Sequence, residues 1–185
     1  VRGLSATEIV ERLPADLKAV GVSCMFSQEW LVTRDLINRV RLARPDVFVF
    51  VGGEHVTAVP EHVLETCTAV DAVALGEGDE VIVDLVERFH TDPETIPGIV
   101  YRVGEDLYRT EHRQRVRNLA DLPFPDWESI PIEKYHEYES CSGVYEGVTM
   151  PILATRGCPY KCTFCSNPKM WGVRYYMRPP SQVID

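Results

Sequence analysis

Apolar positions along this chain switch repeatedly between the helical period and short unbroken runs. Ser5-Ala-Thr-Glu8 has the form of a capping box and opens a short amphipathic helix through about Leu13. Pro14 interrupts it, leaving a further turn over Ala15–Val20, and Val20–Phe26 is a short apolar strand. From Glu29 to Ala43 the spacing places Leu31, Leu36 and Val40 on one helical face, ended by Arg44-Pro45. Val47-Phe-Val-Phe-Val51 is continuously apolar, as a parallel strand buried on both faces requires, and Gly52-Gly53 ends it. Pro60 starts another short helix, Val70–Leu75 is the next strand and Asp79–Phe89 the next helix. Gly98–Val103 and Asp106–Thr110, around Gly104-Glu105, read as a hairpin.

Strands alternating with helices predict an α/β fold, a Rossmann- or flavodoxin-like doubly wound parallel sheet. Its glycine-rich turns, Gly52-Gly53 and Gly76-Glu77-Gly78, follow strands, and ligands of such sheets sit outside the carboxyl ends of the strands. The expected division is a first domain over 1–95, a hairpin and connector over 96–148, and the start of a second domain over 149–185. In the connector the periodicity fails from about Glu111 to Val148. Leu122-Pro-Phe-Pro-Asp-Trp127 and Ile130-Pro131 mark an irregular segment packed through its aromatics. Met150–Thr155 is apolar enough for a buried strand, and Arg156-Gly157 turns the chain into a cysteine-rich loop. The chain begins with Val, not Met, and Pro180–Asp185 reads as the opening of a helix, so the sequence is expected to be a fragment of a longer protein.

Composition narrows the function classes. The 45% hydrophobic and 25% charged residues are those of a soluble globular protein, with no run near the ~18 apolar residues of a membrane span and no signal pattern at the start. A net charge of −9 argues against a general nucleic-acid surface. Arg109, Arg113, Arg115 and Arg117 form a local basic patch, read most simply as a solvated linker face. Of six cysteines, Cys24 and Cys67 lie in apolar surroundings as small core residues, Cys141 is undecided, and three share one loop. A reducing cytoplasm fits best.

Cys158-Pro-Tyr-Lys-Cys162-Thr-Phe-Cys165 sets three thiols in the spacing CxxxCxxC. Iron–sulfur clusters usually have four Cys ligands, so a three-Cys set suggests a four-iron cluster with one iron open to substrate or cofactor. A zinc site or buried free thiols are the alternatives. Zinc wants a fourth Cys or His, none follows Cys165, and the nearest preceding histidine is His136. Ala154-Thr-Arg-Gly-Cys-Pro-Tyr-Lys-Cys-Thr-Phe-Cys165 closely resembles the cluster loop of radical S-adenosylmethionine (SAM) enzymes. The resemblance implies that Cys158, Cys162 and Cys165 bind a [4Fe-4S] cluster whose fourth iron takes SAM. It also implies that Phe164 packs near the SAM adenine, that Gly157 and Pro159 shape the loop, and that Asn167–Trp171 lines the substrate approach or packs.

The first domain carries a second resemblance. Ser23-Cys24-Met25 ends one strand and Gly52-Gly53 the next, similar to the Ser-x-Leu and Gly-Gly elements of cobalamin-binding domains, with Met25 in place of Leu. Gly-Gly-Glu-His-Val-Thr57, Gly76-Glu-Gly-Asp79 and Asp121–Trp127 match the versions in cobalamin-dependent radical SAM proteins, and Ser166–Tyr176 looks similar to the anaerobic magnesium-protoporphyrin cyclase group. Glycine lets the backbone approach a large ligand, and a Ser hydroxyl can bond its nucleotide tail. The cofactor contacts so implied are Ser23, Met25, Gly52, Gly53, Glu54, His55, Gly76, Glu77 and Gly78. The family's cobalt-ligating Asp-x-His-x-x-Gly element would lie upstream of Val1, and His55 is read as a loop contact, not a cobalt ligand. The plain alternative is a flavodoxin-like sheet whose glycines only turn the chain.

Together these resemblances imply a cobalamin-binding sheet, a connector, and the first strand and cluster loop of a radical SAM (β/α) barrel. In that family a reduced cluster cleaves SAM to methionine and a 5′-deoxyadenosyl radical, which takes hydrogen from an unactivated carbon. Methylation or oxidative cyclisation of a small-molecule substrate follows, with an electron donor such as flavodoxin or ferredoxin. The fragment alone is expected to be inactive, and no residue is assigned a catalytic role. Rival readings are a methylthiotransferase acting on tRNA or protein, which needs a second three-Cys site, and a non-catalytic corrinoid-binding protein.

Overall fold

The computed structural model describes residues 3–137 and 152–184, so Cys141 and the Met150-Pro151 start of the expected strand lie outside the described residues. The capping box forms as expected: the Ser5 N–H donates to Glu8 Oε2 at 2.8 Å, and the Glu8 N–H donates to Ser5 Oγ at 3.3 Å. It opens α1, Ala6–Glu11. There follow β1 (Ala19–Ser23), α2 (Trp30–Ala43), β2 (Phe48–Gly52), α3 (Glu54–Ala58), α4 (Pro60–Thr66), β3 (Ala72–Ala74), α5 (Gly78–Arg88), β4 (Ile99–Val103) and β5 (Asp106–Arg109).

The five strands form one sheet in the order β1-β2-β3-β4-β5. Strands β1 to β3 are parallel, and β4 and β5 continue the sheet antiparallel. The hairpin foreseen at residues 98–110 is therefore two strands of the main sheet. Ile99 and Tyr101 are buried beside β3, which gives the hairpin its reason to dock.

Alternation along β2 explains why the sheet is covered on both faces. Val49 and Val51 pack with Trp30, Ile37 and Val40 of α2, Val56 of α3, and Val63 and Leu64 of α4. Phe48 and Phe50 pack on the opposite face with Val81 and Leu85 of α5, and with Ile96, Ile99 and Tyr101. All five residues from Val47 to Val51 are buried, as the unbroken apolar run requires. Each fully buried aliphatic or aromatic side chain contributes about 1.5–3 kcal/mol of transfer free energy. Gly21 lies opposite Phe50, and a Cβ there would stand 2.6 Å from the ring, so a side chain here would displace the Phe50 ring.

Helix α2 differs from expectation in its buried stripe. Trp30, Ile37 and Val40 face the core, whereas Leu31 is 65% exposed. The helix begins at Trp30, directly after a 3₁₀ turn at Ser27–Glu29.

The chain divides into two compact units. One consists of Leu4–Arg115 together with Gly157–Arg174, so the cysteine loop belongs to the same unit as the sheet. The other contains Val116–Arg156 and Tyr175–Asp185. Its described elements are α6 (Ile132–Glu137), β6 (Thr155–Arg156), β7 (Tyr176–Met177) and α8 (Ser181–Ile184), while α7 (Asn167–Met170) belongs to the cysteine loop. Strands β6 and β7 pair antiparallel. Ile152 and Leu153, expected within a buried strand, precede β6 without regular structure and are 40% and 52% exposed. The Pro-Phe-Pro connector is held by Arg178, which donates to the Leu122 and Pro123 carbonyls and lies 5.2 Å from the Phe124 ring centroid.

Candidate functional site

Three parallel strands end side by side, and their turns are laced together. Ser23 pairs with Gly52 in the β1–β2 register. Beyond it the Cys24 N–H donates to the Gly52 carbonyl at 2.8 Å, and the His55 N–H donates to the Cys24 carbonyl at 3.3 Å. The next link is the Gly76 N–H, which donates to Thr57 Oγ1 at 3.1 Å. Gly53 has φ of 106°, and a Cβ there would stand 2.6 Å from the Cys24 carbonyl oxygen. Only glycine fits both the backbone conformation and the approach. Gly-Gly-Glu-His-Val-Thr57, read as a turn, instead runs straight into α3 with Gly53 at its cap.

The predicted contacts divide at this edge. Ser23 is exposed and Met25 is 41% exposed; Gly52 to His55, Gly76 and Gly78 are partly buried; Glu77 is buried. His55 is committed inside the protein. Its Nδ1 lies 2.9 Å from Ser27 Oγ, its ring centroid is 5.7 Å from that of Trp30, and its Nε2 is buried without a hydrogen-bond partner among the described residues. Burial holds the His55 imidazole below the ordinary value, with nearby His62 adding to the effect.

The cysteine loop lies against this edge. Ser166 Oγ donates to Glu54 Oε1 at 2.8 Å, joining the loop to the Gly-Gly turn. The Met170 carbonyl would be 3.6 Å from a Cβ at Gly76. At the loop's base Gly157 has φ of 88°, and a Cβ there would fall 2.0 Å from the Arg174 carbonyl oxygen. Cys158 is partly buried, Cys162 and Cys165 are exposed, and all three are free thiols. The Cys165 N–H donates to the Cys162 carbonyl at 3.1 Å. Phe164 is 91% exposed, so its ring adds nothing to the core. Among the described residues no three Cys, His, Asp or Glu side chains already converge as a metal-binding set. The donor chemistry nevertheless fits an iron–sulfur cluster: three soft thiols on one short loop, two of them facing solvent and none spent in a disulfide.

Cys24 and Cys67 are core residues as expected, 0% and 2% exposed, and burial raises both thiols above their ordinary value. Of the four arginines expected on a solvated face, Arg109 and Arg117 are exposed, whereas Arg113 and Arg115 are not. Arg109 pairs with Glu61, Arg113 with Glu80 and Asp84, and Arg115 with Glu77. The Arg113 and Arg115 side chains are each only 15% exposed. Their acidic partners stand 29 to 48 positions away in sequence, so no local spacing signals the pairs.

Comparison with known proteins places this geometry. Residues 5–86 match the model of the B12 binding domain. An uncharacterized methyltransferase of Pyrococcus horikoshii is 33% identical over 142 residues, which is 76% of this chain and 29% of that protein. The anaerobic magnesium-protoporphyrin IX monomethyl ester cyclase of Cereibacter sphaeroides is 33% identical over 150 residues, 76% of this chain and 23% of the cyclase. The chain thus spans less than a third of either relative. Among solved structures, the radical S-adenosylmethionine methyltransferase TsrM of Kitasatospora setae, with cobalamin and a [4Fe-4S] cluster bound, has the same fold. Its TM-score is 0.66 over 97% of this chain and 36% of TsrM, at 20% identity. Residues 5–86, the α/β sheet with its laced turns, therefore match a B12-binding domain, and the chain has the fold seen in a cobalamin-bound radical SAM methyltransferase.

Proposed function

We propose that the protein to which this chain belongs is a cobalamin-dependent radical SAM enzyme that methylates or oxidatively cyclises an unactivated carbon of a small-molecule metabolite. The observation that carries the reading is the seating of the three-cysteine loop on the carboxyl edge of the B12-binding sheet, through Ser166 and Glu54. Two sets of residues suited to two cofactors thus share one edge of one compact unit.

The residues divide the work. Cys158, Cys162 and Cys165 hold the [4Fe-4S] cluster, and Phe164 offers its exposed ring to the adenine of SAM. Gly52 and Gly53 keep the strand end bare so that cobalamin can lie close to the backbone, with Ser23 and Met25 beside it. Bound together, the cluster, SAM and cobalamin supply one-electron reduction, a carbon radical and a methyl carrier; the protein supplies position and exclusion of water. An electron donor such as flavodoxin or ferredoxin and a cytoplasmic setting belong to the same proposal. No helix among the described residues is long and apolar enough to cross a membrane.

The methylthiotransferase reading needs a second trio of available thiols. Cys24 and Cys67 do not serve: Cys24 Sγ lies 3.6 Å from the Phe26 carbonyl and Cys67 Sγ 3.7 Å from Asn38 Oδ1, both in the core. The test is iron and cobalt per protein on the anaerobically purified parent chain, with visible spectra before and after cobalamin addition. About four irons and a bound cobalamin support the proposal. Iron without cobalamin reduces it to an ordinary radical SAM enzyme, and neither metal after competent reconstitution overturns it.

A further inference from the structure

Arg115 occupies a place that neither cofactor reading uses. Its Nε and Nη2 donate to the same oxygen, Glu77 Oε1, at 3.0 and 2.9 Å. The remaining nitrogen, Nη1, donates to the Arg174 carbonyl at 2.9 Å. The guanidinium carbon lies 6.0 Å from the ring centroid of Trp171. The pair is shielded, with Arg115 and Glu77 side chains 15% and 7% exposed. One side chain therefore grips the Gly76-Glu77-Gly78 turn after β3 and the far end of the cysteine loop.

The contacts on the loop side are placed to matter. The carbonyl that Arg115 holds is the one that packs directly against Gly157, the residue before Cys158. The same Nη1 stands 3.0 Å from the Gly157 Cβ position. Arg115 thus holds the loop's far end where that end packs against Gly157 at its near end. Lysine would not replace it, because a point ammonium cannot hold a carboxylate and a carbonyl with separate, rigidly spaced donors while lying over an indole.

We infer that Arg115, through Glu77, is a positioning residue that locks the three-cysteine loop to the B12-binding edge and transmits the state of that edge to the loop. The locking stands on the contacts alone; the transmission rests on the function proposed above. When the Gly76–Gly78 turn is ordered by a ligand, Glu77 is fixed, Arg115 is fixed with it, and the base of the loop tightens. Coupling of this kind is reciprocal, so an ordered loop must also favour the ligand-bound turn.

The test uses the full parent chain and hydrogen exchange read by mass spectrometry, with R115M, R115K and the double variant R115M/E77M. Arg115→Met alone takes a charged partner from a buried carboxylate, whereas replacing both partners by apolar groups is close to neutral for folding. The double variant therefore separates the lock from general stability. In R115M and in the double variant, peptides spanning 157–174 are expected to exchange at least tenfold faster than in the wild type. Peptides from β2 should keep their wild-type rate in the double variant, and R115K should resemble R115M. Unchanged loop exchange in the double variant, or an equal rise in β2, overturns the lock.

A second readout addresses transmission. In reconstituted wild type, cobalamin is expected to slow iron loss to a chelator several-fold, and in R115K, which keeps Glu77 and is loaded to the same cobalamin occupancy, this protection ratio should fall to one. A ratio that survives in R115K at equal occupancy overturns the transmission. A wild type that takes up neither iron nor cobalamin instead sinks the proposed function, while the exchange measurement still decides the lock.

Discussion

The sheet carries an arginine–carboxylate pair at each end, and the two are built for different purposes. At the amino edge, Arg41 donates to the Pro45, Val47 and Ala69 carbonyls and to Asp71 Oδ2, and Asp71 Oδ2 also accepts the Val49 N–H. Every group in that knot lies in or next to the elements that make the sheet. At the carboxyl edge, Arg115 reaches from Glu77 to a segment that enters the chain some sixty positions later. The first pair closes a fold already specified by apolar packing. The second joins that fold to a loop with almost no apolar reason to be there. Similar chemistry thus supports stability at one edge and placement at the other.

The largest effects should expose this division. Cys158→Ala, Cys162→Ala or Cys165→Ala is expected to lower retained iron from about four per chain to below about one. Cobalamin binding and the unfolding midpoint should stay near wild type, and iron analysis beside a thermal melt checks both. Gly53→Val should be nearly as severe in another way. A β-branched residue at φ of 106°, aimed at the Cys24 carbonyl, is expected to destabilise by about 3 kcal/mol. It should also weaken cobalamin binding by more than tenfold, read by spectral titration.

Arg41→Met tests the other edge. With Arg41 25% and Asp71 36% exposed, water shares the cost of the stranded carboxylate, and a loss of about 2 kcal/mol is expected in urea unfolding. Cobalamin affinity and iron content should not change. Were Arg41→Met to empty the cofactor edge without unfolding the chain, the contrast drawn between the edges would fail.

The smallest expected effect is on pH. His55 is held below its ordinary 6.5 by burial, so the folded form takes up its proton less readily than the unfolded form. Stability from the neutral ring is complete above that value and falls away as pH drops through the lowered folded value. His55→Gln should flatten this part of the stability profile, seen by urea unfolding across pH 7 to 5. An unchanged profile would show that the ring is free to protonate in place.

Much of this molecule was legible from residue order, and the illegible part has a common cause. Val47–Val51 announced a two-sided strand because burial on both faces leaves no polar position. Ser5 and Glu8 announced a helix start because a capping box is complete within four residues. The three cysteines were visible for the same reason, their spacing being local. What stayed hidden were pairings between distant segments. Nothing near Arg113 or Arg115 shows that Asp84 and Glu77 will meet them, so a basic run looked like a wet surface. Gly-Gly-Glu-His-Val-Thr57 looked like a turn because two glycines dominate it, although Gly53 in fact caps a helix. The hairpin at 99–109 showed its two strands but not its docking, because a strand's period does not name its neighbour.

The antiparallel pair β4–β5 has a practical consequence for anyone wishing to move this module into another protein. The B12-binding match stops at residue 86, but the sheet does not. A graft cut there would leave β3 as a bare edge, with the apolar surface that covers Ile99 and Tyr101 open to water and inviting self-association. The transplantable piece runs to Arg115. Even then it is a socket made for a particular plug, and it should be paired with a recipient that brings its own residues 157–174.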